Sequence, residues 1–221
     1  MASARDLIQT IQNELTPLHH KIVHHRYLAA VEQGRVARES LKMFAIQQHH
    51  IIVSDLRSIA MLLARHGHLA SRPYLLGVLQ GENAALEALT NFARALGVSE
   101  QEPGAAEPLP AAFAYSAFLA WLGIYGSDAE LAGALSLNFA AWGANCARMS
   151  AALRTSYALA PEAVRFFDLF ANLPPDSEAA VAVIQDGLDR GVPAAMIARA
   201  ARMLQGYELM YWDSMAEAVG V

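Results

Sequence analysis

Glu208 is the ionisable residue that stands out most clearly when the last segment of the chain is projected as a helix. At about 100° per residue, the apolar residues of segment 199–218 form one stripe, and Glu208 falls at its centre. A buried carboxylate is costly, so Glu208 must pair, accept hydrogen bonds, or keep its proton through a raised pKa. A general acid or base needs such an environment. We predict that Glu208 is catalytic; the alternative is a structural Glu bonded to a buried Tyr or Arg.

Further polar residues interrupt the apolar helical pattern of the segment AIQQHHIIVSDLR (45–57). Gln48 and Asp55 stand seven residues apart, so they nearly superpose on a helix, and both fall inside the apolar arc together with His49. Their hydrogen-bond partners must come from other helices or from a ligand. The opposite side of this helix, which we expect to face solvent, carries Gln47, Ser54, Ser58 and Arg65.

A third set of candidate residues lies in segment 128–157. Trp142 belongs to the apolar face of this predicted helix, and Asn138 and Asn145, seven residues apart, lie along the edge of that face. Trp142 beside Asn138 suits a planar, polar ligand, although core packing explains the pattern equally well. The complete set of predicted ligand-binding residues is Gln48, His49, Asp55, Asn138, Trp142, Tyr211 and His24.

The eight histidines raise the question of a metal site. His20 and His24 stand four residues apart, and His49 and His50 belong to a neighbouring predicted helix. Metal sites in helical bundles usually recruit carboxylates at ligand spacing, and Asp55 is the one carboxylate near these histidines on the same helix. We therefore predict no metal and no other cofactor, and a divergent metalloenzyme that uses the histidines remains an alternative.

Composition excludes several classes of partner. The chain has 221 residues, of which 55% are hydrophobic and 17% charged. Its net charge is -5, and its Lys and Arg residues form no basic stripe, so we expect no binding to nucleic acid. The most apolar run, 111–126, is shorter than the ~20 residues of a membrane span, so we expect no membrane partner. The single Cys146 rules out an internal disulfide and predicts a cytoplasmic location.

Helical periodicity recurs along nearly the whole sequence, and no alternating strand pattern is convincing, which predicts an all-α fold. One domain spanning residues 1–221 is expected, with a loop rich in Pro, Glu and Ala at 98–110. The predicted helices are 4–15, 18–33, 37–66, 74–97, 111–124, 128–157, 161–171, 176–189 and 193–218.

Two stretches resemble the haem-oxygenase-like helical superfamily, which includes TenA-type thiaminases, PqqC and non-haem diiron oxidases. HHRYLAAVEQGRVARESLKMFAIQQHH (24–50) is similar to the family's pattern around the second and third helices, and YELMYWDSM (207–215) resembles the TenA ending. The resemblance implies a single-domain TenA/PqqC-like bundle that forms a homodimer or homotetramer. It also places the family's catalytic Glu on Glu208, in agreement with the helical projection.

The sequence departs from the family at positions that carry chemistry. A TenA thiaminase would have Asp at Gln48 and a Pro-Cys nucleophile at Leu137–Asn138, so thiamin hydrolysis is not expected. The diiron oxidases would have a Glu and a His seven apart where GENAALEALTNF (81–92) has no His. Their remaining metal-ligand positions fall on Asn138, Phe170, Pro174 and Ser177.

Three functions compete on this basis. The leading hypothesis is a metal-independent enzyme that acts on a small, partly aromatic metabolite in a central cavity, in biosynthesis or salvage; by resemblance, PqqC indicates that the fold supports oxidation without a metal. The second is a non-catalytic binding protein or partner subunit of a biosynthetic enzyme. The third is a divergent metal-dependent oxidase.

Overall fold

The chain folds into α-helices throughout residues 3–173 and 177–221, which are the residues described by the computed structural model. Over these residues there is no β-strand, and short 3₁₀ turns at Arg38–Ser40 and Pro161–Val164 precede two of the helices. The all-α prediction is confirmed. The helices are α1 (Ala4–Val23), α2 (Arg26–Glu32), α3 (Leu41–His66), α4 (Arg72–Ala95), α5 (Glu102–Ala105), α6 (Pro110–Tyr125), α7 (Asp128–Thr155), α8 (Arg165–Ala171), α9 (Glu178–Asp189) and α10 (Ala194–Val219).

The first helix differs from the prediction. Residues 4–15 and 18–33 were expected as two helices separated at Pro17, but α1 continues through Pro17 and ends at Val23. Pro17 and Asn13 are exposed, so the Asn13 carbonyl that loses its helical partner can bind water instead. The break comes at His25, whose side chain accepts a hydrogen bond from the Tyr27 N–H and starts α2.

Helix α7 packs against α1, α2, α8, α9 and α10 and holds one side of the molecule together. It begins with a capping box, in which Ser127 and Glu130 each bind the other's backbone N–H. Close packing depends on its small residues: a Cβ at Gly143 would lie 3.0 Å from the carbonyl oxygen of Phe170. Gly143 therefore lets α8 approach α7 and brings Phe170 to the interior.

Helices α3, α4 and α6 form the other side of the molecule. The prediction that Gln47 and Ser58 of α3 face solvent is wrong, whereas Arg65 is exposed as expected. Gln47 and Ser58 are buried, because α6 and the segment before it cover that face. Gln47 accepts a hydrogen bond from the Leu109 N–H at 2.8 Å and donates one to the Glu107 carbonyl at 3.3 Å. A helical projection of α3 gives the angle of each residue but not the position of a covering loop.

An aromatic cluster fills the space between the two sides and forms one wall of the interior. Its central member, Phe44 of α3, contacts six other rings. These are the rings of Phe92, Trp142, Phe166, Phe167, Tyr211 and Trp212. No helix in the described part of the chain combines the length and apolarity that crossing a membrane would require.

Candidate active site

A cavity lies between the two sides of the molecule, where α3, α4, α6, α7, α8 and α10 meet. The space open to the centre of a water-sized sphere is about 40 Å³. Six of the predicted site residues line it: Gln48, Asp55, Asn138, Trp142, Glu208 and Tyr211. The other described lining residues are Ile51, Ile52, Glu82, Tyr115, Phe139 and Phe170.

Glu208 is a buried carboxyl group that two hydrogen bonds fix inside the cavity. Its side chain is 2% exposed, and each carboxyl oxygen accepts one hydrogen bond. Oε2 accepts from Asn138 Nδ2 at 2.7 Å, and Oε1 accepts from the indole N–H of Trp212 at 3.1 Å. Burial raises the pKa of Glu208 to about 8, although the Trp212 hydrogen bond favours the charged form. Glu208 therefore carries its proton at neutral pH and can give it up within the physiological range.

Asn138 connects Glu208 to α6. The Tyr115 hydroxyl donates a hydrogen bond to Asn138 Oδ1 at 3.0 Å, and the amide group of Asn138 then donates to Glu208. Burial and the nearby carboxyls of Asp55, Glu82 and Glu208 raise the pKa of Tyr115 well above its usual value. Tyr115 therefore remains a neutral donor and fixes the orientation of the Asn138 amide.

Asp55 and Glu82 add a second acidic group to the cavity. Asp55 lies on α3 and Glu82 on the adjacent α4, and both are buried. Burial raises the pKa of Asp55 well above its usual range, and the charge of Glu82 raises it further, while the Ser116 hydroxyl partly offsets both effects. Burial also raises the pKa of Glu82 to about 7. Burial and mutual repulsion therefore oppose the ionisation of both carboxyls together, and a nearby positive charge would favour it.

Tyr211 and Gln48 complete the polar lining. Burial raises the pKa of the Tyr211 phenol well above 10, and the Gln48 amide is near enough to moderate that rise. The Tyr211 hydroxyl nevertheless has no partner within hydrogen-bond geometry among the described residues. An enclosed hydroxyl without a partner is a group that a ligand could satisfy.

Two predicted ligand-binding residues do not reach the cavity. His49 is half-buried and lines a separate surface pocket with Arg94 and Glu100, because one residue along α3 turns the side chain about 100° away from Gln48. His24 is exposed at the end of α1, where its ring stacks on His20 at 4.1 Å between centroids. Within the ranges 3–173 and 177–221, no three His, Cys, Asp or Glu side chains are grouped so that they could hold a metal ion.

The residues at the positions that the resemblance assigns to the diiron-oxidase ligands make other contacts in this structure. Phe170 lines the cavity, and Ser177 caps α9 by accepting a hydrogen bond from the Ala180 N–H. Pro174 lies outside the described residues. Cys146 is fully buried without lining the cavity, and burial together with the charge of Glu208 raises its pKa well above the usual thiol value. The single thiol of this chain is therefore neither ionised nor placed to attack a ligand.

Glu82 and Tyr115 are the polar lining residues that the sequence interpretation missed. A signal for Glu82 was present: it stands seven residues after Leu75 and seven before Leu89, and both leucines are buried. Glu82 therefore falls on an apolar stripe, as Glu208 does. Tyr115 had no comparable signal, because α6 is apolar around its whole circumference and a projection shows no distinct face.

Comparisons with known proteins agree with this architecture. The sequence model of the TENA/THI-4/PQQC family matches residues 12–218. A search of curated proteins finds no match to this sequence.

Solved structures with the same architecture share little sequence with this chain. A TenA homologue from Pseudomonas syringae pv. tomato superposes with a TM-score of 0.79 at 15% identity, over 95% of this chain and 92% of that one. A TenA homologue from P. horikoshii gives 0.76 at 15% identity, over 96% and 99%. A domain of unknown function from Shewanella denitrificans with a heme oxygenase-like fold gives 0.76 at 13% identity, over 95% and 91%. These likenesses show the fold.

Proposed function

The chain belongs to the TENA/THI-4/PQQC family, and we propose that it binds a small, partly aromatic organic cation in its central cavity and that Glu208 exchanges a proton with it. The reaction needs no metal and belongs to the biosynthesis or salvage of that compound. One observation carries the proposal: Glu208 is enclosed in the cavity, is hydrogen-bonded through both oxygens, and has a pKa raised to about 8.

The charge of the cavity favours a cation. Asp55, Glu82 and Glu208 line it, and the described lining residues include no Lys, Arg or His. Burial raises the pKa of each carboxyl, and a bound positive charge would favour the ionised form and lower that pKa. The aromatic part of the ligand would contact Trp142 and Phe170.

Glu208 is held in a geometry that suits both of its protonation states. When it carries the proton, it can act as a general acid toward a ligand atom in the cavity. When it loses the proton, Asn138 and Trp212 still donate to its two oxygens and stabilise the anion. Tyr115 keeps the Asn138 donor aimed at Glu208 during the transfer.

A non-catalytic binding protein or partner subunit is the second candidate. The observation in its favour is that the described cavity lining includes no Cys, Ser, Thr or Lys, so covalent catalysis by a thiol, an aliphatic hydroxyl or an amine has no nucleophile there. The same cavity would then bind the compound without converting it, and Glu208 would serve only as a hydrogen-bond and charge partner.

Calorimetric titration with benzylamine tests the cation preference. Because a cation must displace protons from the cavity carboxyls, we expect proton release on binding and an affinity that rises from pH 6 to pH 8. The rise is at most about tenfold per pH unit for each proton released. Buffers with different ionisation enthalpies measure the released protons, and Glu208→Gln should release fewer.

Benzyl alcohol provides the neutral control for this titration. It has the same ring but no positive charge, so it should bind more weakly than benzylamine, and its affinity should not increase with pH. Equal affinity for the two compounds at pH 8 would contradict the proposed preference for a cation.

A further inference from the structure

A second and larger space adjoins the central cavity and is here called the outer groove. It lies between α4 and the helices α7, α8 and α9, and its volume on the same measure is about 460 Å³. Its described walls are mostly apolar and include Tyr74, Gly77, Val78, Gly81, Ala84, Ala85, Phe139, Leu169, Phe170 and Ala180.

The outer groove and the central cavity share three residues. Glu82, Phe139 and Phe170 line both spaces, and the ring centroids of the two phenylalanines are 6.2 Å apart. Glu82 is 9% exposed, and no described residue donates a hydrogen bond to its carboxyl group. An almost buried carboxyl without a donor therefore stands at the junction of the two spaces.

The two volumes constrain the ligand of the proposed function. About 40 Å³ accommodates the centres of only a few water molecules, so a partly aromatic compound cannot lie wholly inside the central cavity. We infer that the substrate is an elongated organic cation, whose charged end meets Asp55 and Glu82 and whose apolar arm passes Phe139 and Phe170 into the outer groove. This inference rests on the proposed function, which supplies the cationic end.

Glycines keep the α4 wall of the outer groove open. Gly77 and Gly81 stand one turn apart on α4, and a Cβ at either position would meet no atom within 4 Å. Glycine inside a helix costs stability relative to most other residues. Gly81 lines the groove and a Cβ added there meets open space, so a larger side chain at this position has room to extend.

A series of linear alkylamines from propylamine to octylamine probes the outer groove. Below their micellar concentrations, each added methylene that enters an apolar groove should tighten binding about three- to fourfold. Gly81→Leu should weaken octylamine binding toward that of propylamine, because its side chain fills the space needed by the longer chain. The helical circular dichroism signal of Gly81→Leu should match that of the unsubstituted protein. Its thermal unfolding temperature should be equal or higher, since Leu favours the helix over Gly.

Gly206→Leu is the matched control. Gly206 lies inside α10, and a Cβ added there would also meet no atom within 4 Å, but this residue lines neither space. The Gly206→Leu variant should keep the full dependence of affinity on chain length.

The outcomes separate this inference from the proposed function. Length-dependent binding that Gly81→Leu removes and Gly206→Leu retains supports an apolar arm in the groove. Propylamine binding with no gain from longer chains, or a gain that survives Gly81→Leu, overturns the groove assignment and leaves the proposed function standing. A Gly81→Leu variant that changes the oligomeric state but not the octylamine affinity would show that the groove is an interface between two copies of this chain. This outcome overturns the inference. Binding of no amine at all overturns both.

Discussion

Replacing Glu208 by Gln changes one atom type at the centre of the site and keeps the shape of the side chain. Trp212 Nε1 and Asn138 Nδ2 both donate to the carboxyl, and Gln offers only one acceptor in place of two. Both contacts survive if the Asn138 amide turns, so that its Oδ1 accepts from the new Gln. The Tyr115 hydroxyl can then accept from Asn138 Nδ2, because a phenol is both a donor and an acceptor.

The structure gives this substitution a pH-dependent effect on stability. The folded protein holds the Glu208 proton more tightly, with a pKa of about 8 against an ordinary glutamate value of 4.5. Its free energy of unfolding therefore falls as pH rises from about 4.5 to 8. At about 1.4 kcal/mol per pH unit, the contribution of Glu208 to the free energy of unfolding falls by roughly 3–4 kcal/mol between pH 5 and pH 8. The Gln variant lacks this loss, and rearranging the Asn138 and Tyr115 hydrogen bonds around the neutral amide costs it about 1–3 kcal/mol at both pH values.

Urea unfolding at pH 5 and at pH 8, followed by tryptophan fluorescence, measures the difference. We expect Glu208→Gln to be less stable than the unsubstituted protein at pH 5 and equally or more stable at pH 8. The control is Glu217→Gln, which changes an exposed carboxyl on the same helix and should shift neither value. A Glu208→Gln variant that is destabilised equally at both pH values would show that this carboxyl is not buried with a raised pKa.

The same variant tests proton transfer once a substrate is known. An acid or base at Glu208 predicts a loss of about 10²–10⁴-fold in turnover with little change in ligand affinity. Full turnover by a correctly folded Gln variant excludes the catalytic role of Glu208.

The composition of the cavity leads to two further predictions. Hydrolysis of thiamin and of aminopyrimidines should be absent or very slow in a product assay, because Gln48 and Asn138 stand where the resemblance implies the Asp and Cys of a TenA thiaminase, and Cys146 does not line the cavity. Turnover comparable to an authentic thiaminase would contradict this prediction. The purified protein should contain no stoichiometric iron, manganese or zinc by elemental analysis, because Phe170 lines the cavity and Ser177 caps α9 at positions where the resemblance to the diiron oxidases implies metal ligands. About one tightly held metal per chain would refute this prediction.

Seven-residue spacing explains how much of the site the sequence could predict. Glu208, and the pair Gln48 and Asp55, interrupt apolar stripes, and a polar residue on a stripe must face the interior whatever packs against it. The structure places all three in one cavity. The same reasoning applied to α4 would have found Glu82, whose position between Leu75 and Leu89 follows the same rule.

Other features depended on tertiary contacts that no single helix records. The projection of α3 placed Gln47 on the solvent side, but the backbone at Glu107 and Leu109 covers it and satisfies its amide. His49 fell inside the apolar arc because that arc is wide, and only the packing of α4 shows that its side chain points to another pocket. The small size of the central cavity was likewise set by aromatic packing around Phe44, which sequence spacing does not reveal.

The acidic groups of this site also differ in position from those implied by the family resemblance, and this difference bears on the ligand. The resemblance puts an Asp at position 48, where this chain has Gln, whereas Asp55 lies on the same face of α3 two turns further on. Seven residues correspond to roughly 10 Å along a helix. Asp55 there interacts with Glu82, which borders the outer groove. The acidic side chain of α3 thus lies near Glu82 at the junction of the two spaces, where a bound cation would favour the ionised carboxyls and its apolar arm would extend into the groove.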